Sequence, residues 1–343
     1  MTTTKPAPPS APPSAVVHRA TRSFSALAPQ RTRHTLLTTA AVLAAAIIWA
    51  GVSAGSGTVL IQALVTGILT GGIYSLIAMG LTLIYGVLHI INFANGAMVG
   101  LAMYLTLTFV DGTGGMHPYI ALIVVVPAML ALGAVLQAIL LNPVMRAPLQ
   151  VQLLITIGIA LAVENILLLV YGPNPRSVAL PGNRAVKIFG AAVELSRIYA
   201  LVGAMILVAV LWLVLQKTRT GTAVRAVSAN PEGARLVGIN IKRIYVLTFA
   251  IGTAAAGAAG VLIAPFSTIE PTAGSIFNLT AFVVVVLGGM GNVPGALVGG
   301  FVVGLTEQLG ALIMPGQSSL LAVFIVFLVV LFARPTGVFG RAS

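Results

Sequence analysis

The chain has 343 residues, 58% of them hydrophobic and 7% charged, with a formal net charge of +12. A soluble domain carries about 25% charged residues, so this composition cannot cover a water-facing surface. It excludes a cytosolic globular enzyme, a disordered protein and a nucleic-acid-binding domain. The mean hydropathy of +1.07 points the same way. Of the 18 lysines and arginines, five lie in residues 1–34 and six in residues 217–243. Basic segments separated by apolar spans are the pattern of a multi-pass membrane protein.

Residues 1–34 are rich in Pro, Ser, Ala and Thr, and carry Arg19, Arg22, Arg31 and Arg33. Such a composition builds no core and reads as a disordered, basic, cytoplasmic tail. Residues 35–55 form an apolar stretch near the ~20 residues that a span needs. An extra N-terminal transmembrane helix is the preferred reading. A signal-like segment is the other, because arginines precede an apolar run that ends in small residues. Residues 58–110 contain no Asp, Glu, Lys or Arg. They exceed a single ~30 Å crossing and predict two spans broken at Gly86 to Gly96. Further spans are expected at 119–141, 151–171, 198–216, 244–264, 276–290, 295–314 and 319–333. The expected fold is therefore all-α: a polytopic transmembrane helix bundle of nine or ten spans.

With the N-terminus inside, Arg146, the 217–243 loop, Arg334 and Arg341 all fall on the cytoplasmic side. Loop 217–243 has six basic residues against Glu232, a net +5. The 172–197 segment falls outside although it holds Arg176, Arg184, Lys187 and Arg197, an exception to the charge rule.

Several chemistries have no residues to carry them. There is no cysteine, so thiol nucleophiles and disulfides are excluded. His18, His34, His89 and His117 show no metal-ligand spacing, so no metal site is expected. No lysine follows a glycine, which leaves no phosphate-binding loop. No catalytic constellation is present. Only Glu164 and Glu307 lie deep in predicted spans. An ion-coupled carrier usually has more intramembrane ionisable groups, so the driving force is expected from other subunits.

Four features stand out. In the 217–243 loop, Asn230 is a good N-cap, Pro231 suits the first helical position and Glu232 favours the positive helix end. Gly238 can supply a left-handed C-terminal cap. Ala234 and Val237 would then share one face of a short helix, beside Arg235 and Ile239. That helix reads either as a knob for a partner's groove or as an amphipathic helix on anionic lipid. The second feature is the break containing Gly288, Gly289 and Asn292, which is either a surface turn or the lining of a cavity. The third is Asn92, Asn95 and Gly96, which either face a polar pathway or cap the next helix. The fourth comprises Glu164 with Asn165, and Glu307 with Gln308, either structural or on a translocation path. A short repeat also occurs: Gly67-x-Leu69-x-Gly71-Gly72 and Gly295-x-Leu297-x-Gly299-Gly300. Small residues at this spacing let helices approach closely.

The segments Gly72-Ile-Tyr-Ser-Leu-Ile-Ala-Met-Gly80-Leu-Thr-Leu-Ile-Tyr-Gly86 and Ile91-Asn-Phe-Ala-Asn-Gly96 resemble the permease subunits of branched-chain amino acid ABC importers, specifically the shorter of the two paired permease types. Asn230 to Ile239 is similar to that family's cytoplasmic coupling segment. Leu287 to Gly300 and Arg334 to Gly340 are similar to its C-terminal pattern. Residues 1–54 look like an addition to the family core, and the family often has His where Asn95 stands. A Gly-x-Asp-Leu-Ser-Val-Gly motif of related sugar importers is absent.

The resemblance implies a permease domain over 56–341 whose 217–243 loop meets ABC ATPase subunits, with a second related permease and an extracytoplasmic solute-binding protein as partners. It implies a bacterial inner-membrane location with a cytoplasmic C-terminus. No cofactor is expected on this chain, since ATP would be used by the partner subunits. Branched-chain amino acids are the expected solutes. Urea or short amides, and less readily an ion-coupled carrier, are the alternatives.

Overall fold

The computed structural model describes residues 57–313, 319–334 and 337–339. The expected tail 1–34, the extra helix 35–55 and Arg341 lie outside the described residues. The unbroken apolar run folds into α1 (Gly57–Leu88), and α2 follows as Asn95–Gly112. Between them, residues 89–94 leave the helical path, starting at His89 with φ 57°. A 3₁₀ turn, Pro118–Ala121, leads into α3 (Leu122–Leu136). That helix widens into a π turn over Gln137–Leu141 and a 3₁₀ turn over Asn142–Val144. Pro143 explains the change: it has no N–H, and its ring crowds the carbonyl four residues back.

α4 spans Leu149–Tyr171. The segment after it contains an element that the sequence reading did not foresee, an antiparallel hairpin of β1 (Ala185–Ile188) and β2 (Ala191–Glu194) with Val186 opposite Val193. Its two turn residues, Phe189 and Gly190, have φ of 50° and 89°, the double positive that a tight hairpin turn requires. Ala191 and Val193 are buried against Leu69 of α1. The chain continues through α5 (Leu195–Lys217), α6 (Arg219–Ala229), α7 (Pro231–Leu236), α8 (Ile241–Ile263), α9 (Ala273–Gly288), α10 (Val293–Ile313) and α11 (Ser319–Ala333).

Among the described residues, six helical stretches are long and apolar enough to cross a membrane: α1, Pro118–Val144, α4, α5, α8 and α10. α9 and α11 are shorter apolar helices. The bundle has two chemically distinct ends. At one, the Gln62 side chain donates to the Ala192 carbonyl at 2.6 Å, Arg176 and Ile269 exchange backbone hydrogen bonds, and the Tyr119 hydroxyl donates to the Ser196 carbonyl at 2.7 Å. At the other, Ser228 donates to the Gly86 carbonyl, and Val338 N–H donates to the Leu287 carbonyl at 2.8 Å. The charge pattern of the sequence predicts the first as the external end and the second as the cytoplasmic end.

α1 and α8 are the interior of the bundle. The seam between α1 and α10 is close because both helices present glycine. A Cβ on Gly71 would lie 2.8 Å from the Phe301 Cα, and one on Gly304 would lie 2.5 Å from Gly71. The two copies of the short repeat thus contribute to one packed seam. Ser75 fastens it by donating to the Gly71 and Leu297 carbonyls, both at 2.8 Å.

Candidate functional site

The 217–243 segment is built from successive caps. Thr218 Oγ1 accepts from Gly221 N–H at 3.0 Å and starts α6. The Arg225 guanidinium donates to the Leu215 carbonyl and holds α6 against the end of α5. Asn230 Oδ1 accepts from Gly233 N–H at 2.9 Å and starts α7, with Pro231 at its first position and Glu232 exposed in its first turn. α7 ends as the sequence expects. Gly238 has φ 86°, its N–H donates to Arg235 at 3.0 Å, and Ile239 N–H donates to Ala234 at 3.0 Å. These two bonds form a Schellman cap.

One local expectation is corrected. Ala234 and Val237 do not share a face: Ala234 is 5% exposed and packs inward, whereas Leu236 is 89% and Val237 78% exposed. Val237 already sits past the last helical residue with φ −88° and ψ 13°, so helical spacing does not apply to it. The outward surface is therefore Leu236 and Val237 flanked by exposed Arg235. Lys217, Arg219, Arg225, Lys242 and Arg243 are also exposed around this segment.

Behind it lies a cavity of about 630 Å³, lined among others by Thr82, Trp212, Arg225, Ser228, Asn292 and Phe339. The Ser228 bond to Gly86 ties α6 to the last turn of α1, just before the helix break. Ser228 is a residue that sequence reasoning missed, because a single serine in a loop carries no pattern.

At the break itself, Asn92 Oδ1 accepts from Ala94 N–H at 3.1 Å, a local turn rather than a cap on α2. Asn95 is 1% exposed, and neither atom of its side-chain amide has a partner. Gly96 N–H donates to Asn278 of α9 at 3.2 Å, and Phe93 N–H donates to Thr156 of α4 at 3.3 Å. Two backbone N–H groups at the break are thus met by side chains from two other helices, the kind of support that non-helical backbone in a bilayer needs.

Phe93, Asn278 and Glu164 line one apolar cavity of about 440 Å³. Asn165 instead faces outward and donates to the Leu161 carbonyl at 2.7 Å on its own helix. Asn278 and Thr156 were legible only as polar residues inside apolar runs.

Gly288, Gly289 and Asn292 form the tight turn between α9 and α10. Gly289 has φ 98°. Asn292 Oδ1 accepts from Gly295 N–H at 3.1 Å, and its amide nitrogen donates to the Phe339 carbonyl at 2.8 Å. Both functional groups of Asn292 are used to hold the turn, and Gly288 packs against Gly295.

Glu307 lines a cavity of about 360 Å³ with Tyr74, Arg197, Glu270 and Gln308. Its Oε2 is buried without a partner. Arg197 belonged to the external charge exception. Its guanidinium stands 5.0 Å over the Phe266 ring, and its nearest carboxylate, Glu194, is 3.9 Å away. Arg176, another member of that group, donates to the Tyr171 carbonyl at 3.1 Å. Among the described residues no group of three or more His, Asp or Glu could hold a metal ion.

Comparison with known proteins adds a lineage. Residues 63–333 match the family model described as branched-chain amino acid transport system / permease component. The chain is 30% identical over 296 residues to the high-affinity branched-chain amino acid transport system permease protein LivH of Escherichia coli K12, covering 82% of this chain and 96% of that protein. It is 31% identical over 297 residues to BraD of Pseudomonas aeruginosa, a permease protein with the same description, covering 82% and 96%. A shorter match, 32% over 129 residues, joins it to the ribose import permease protein RbsC of Escherichia coli K12, covering 36% of this chain and 40% of that protein. No solved structure matches the chain.

Proposed function

The chain belongs to the family of branched-chain amino acid transport permease components, and on that premise we propose that it is the membrane-spanning permease subunit of an ATP-driven importer for branched-chain amino acids. The observation that carries this reading is α7. It is a short helix capped at both ends, presenting Leu236 and Val237 outward in the most basic loop of the chain. Two apolar side chains held on a rigid cap in water are a knob suited to a partner's groove, where a few anchors supply most of the binding energy. Ile239 packs against the core, so a push on the knob reaches the bundle.

The mechanism follows from these connections. ATPase subunits dock on α7 and hydrolyse ATP outside this chain, which performs no covalent chemistry and binds no cofactor. Their closure moves α7 and α6. The Ser228 bond carries that movement to the end of α1. Its neighbour, the break at 89–94, is a point where the bundle can rock between outward and inward openings without breaking a helix. An extracytoplasmic binding protein delivers the solute, and a second, related permease supplies the other wall. In this arrangement residues 56–341 are the permease domain. The chain sits in a bacterial inner membrane with its C-terminus inside.

The test uses Glu232→Lys and Gly238→Pro. Proline fixes φ near −65°, against 86° at Gly238, and so removes the C-terminal cap. Both variants are expected to reach the membrane at normal levels and to lose leucine uptake. Normal uptake with both variants well expressed overturns the coupling role. Purification in mild detergent is expected to recover an ATPase and a second permease. Uptake that collapses with the membrane potential while ATP is retained would instead identify an ion-coupled carrier.

A further inference from the structure

The cavity shared by Arg197 and Glu307 combines opposite charges in a way that a structural role does not require. Arg197 is the third residue of α5. Glu307 lies six residues before the end of α10 and lines the same cavity. Stacking on Phe266 engages the face of the guanidinium and Glu194 stands 3.9 Å from its Nε, so the terminal N–H donors are the ones that can meet a further carboxylate. The Tyr74 hydroxyl stands beside the Glu307 carboxyl, but Oε2 of that carboxyl is buried and without a donor. A buried acceptor left unmet is costly, and a ligand ammonium with its three donors would meet it. Glu270 adds a second carboxylate, and Ile73, Phe266 and Ile276 form an apolar wall. At about 360 Å³, the cavity is at the small end of the range for ligand pockets.

An anion alone would leave the carboxylates unmet, and a cation alone would leave the guanidinium unmet. An α-amino acid carries both charges on one carbon and places an aliphatic side chain beside them. We propose that this cavity is a binding site in the permease itself for the zwitterionic head of an aliphatic amino acid, with Arg197 taking the carboxylate and Glu307 the ammonium. This inference rests on the transport reading above and names where the solute is first held within the bundle.

The absence of cysteine from the chain permits a direct test. Thr268 is exposed and borders the cavity. With Thr268→Cys in membranes holding the chain and its natural partners, maleimide labelling is measured with leucine, with leucinamide, with 4-methylpentanoate and with sodium chloride. Leucine is expected to slow labelling at least threefold, while leucinamide and 4-methylpentanoate, which each lack one charge, leave it unchanged. Arg197→Gln or Glu307→Gln is expected to abolish the protection, each variant's rate with leucine being compared with its own rate in the absence of ligand. Arg197→Lys is expected to retain part of it. Equal rates with every additive overturn the site, as does protection that persists in both Gln variants. Protection by leucinamide or sodium alone replaces it with a cation site. Leucine uptake by cells carrying the unsubstituted chain is measured separately. Its absence overturns the transport reading and the site with it, whereas uptake without protection overturns the site alone.

Discussion

α1 and α4 are both membrane-length apolar helices, yet 89% of the apolar stretch of α1 is buried against 17% of that of α4. α4 is the more hydrophobic of the two, and the same inversion holds for α3 and α5 against α8. Within water the most apolar segment goes inside. Within lipid there is no such drive, and the helices that reach the interior are those that pack closely and satisfy polar groups. α1 contributes Gly67, Gly71, Ser75 and Gly80, and α8 is built largely of Gly and Ala along its buried length. α4 exposes Leu154, Leu161, Ile166 and Leu169, whose bulk suits lipid or a partner subunit better than a helix seam.

The comparison can be broken at the interior seam. Gly304→Leu would drive a side chain into the Gly71 backbone. Overpacking usually costs about 1–3 kcal/mol, and here the obstacle is backbone that cannot rotate away. The expected outcome is loss of most of the protein from the membrane fraction, measured by immunoblot against the unsubstituted chain. Wild-type levels would show that glycine is not what places α1 inside.

The exception to the comparison is the knob on α7, apolar and exposed but outside the apolar belt. Leu236→Asp together with Val237→Asp is expected to lower leucine uptake at least tenfold at unchanged membrane level, in line with the ~2 kcal/mol or more lost at an interface anchor. Unchanged uptake would place α7 on lipid or in water instead. A milder change removes the cap and spares the knob. Asn230→Ala should cost about 1 kcal/mol of local stability, seen as roughly fivefold faster hydrogen exchange at the Gly233 amide, with a smaller loss of uptake. The smallest effect is predicted on the periphery. Leu169→Ala, at a position 85% exposed, should change the thermal stability of the detergent-solubilised chain by less than about 0.5 kcal/mol. A large destabilisation would mean that this face of α4 is covered by a helix of the bundle.

Much of the fold was legible because membrane crossing imposes length and composition on each segment. The helix break after α1 was marked by His89, Asn92 and Asn95. The caps on α7 were marked by Asn230, Pro231 and Gly238, whose preferences are local. The hairpin at 185–194 was hidden, since its strands are four residues each and depend on burial against Leu69 for their pattern. The Ala234–Val237 face failed because helical spacing was applied one residue beyond the helix. The candidate path residues divided only in three dimensions. Asn292 is consumed by a turn and Asn165 by its own helix, whereas Asn95 and Glu307 keep buried atoms without partners.

The sequence by itself determined that this chain crosses a membrane, which loop is the basic one and where the short helix at 231–236 is capped, because those properties depend on neighbours along the chain. Only the tertiary structure decided which apolar helices are interior, and only it brought Arg197 and Glu307, 110 positions apart in the sequence, into one cavity. Hydrophobicity carries no direction within these spans, and the most hydrophobic of them are not the interior ones. The choice of neighbour comes instead from the shape and hydrogen bonding of small and polar residues, which become visible only once the helices are packed.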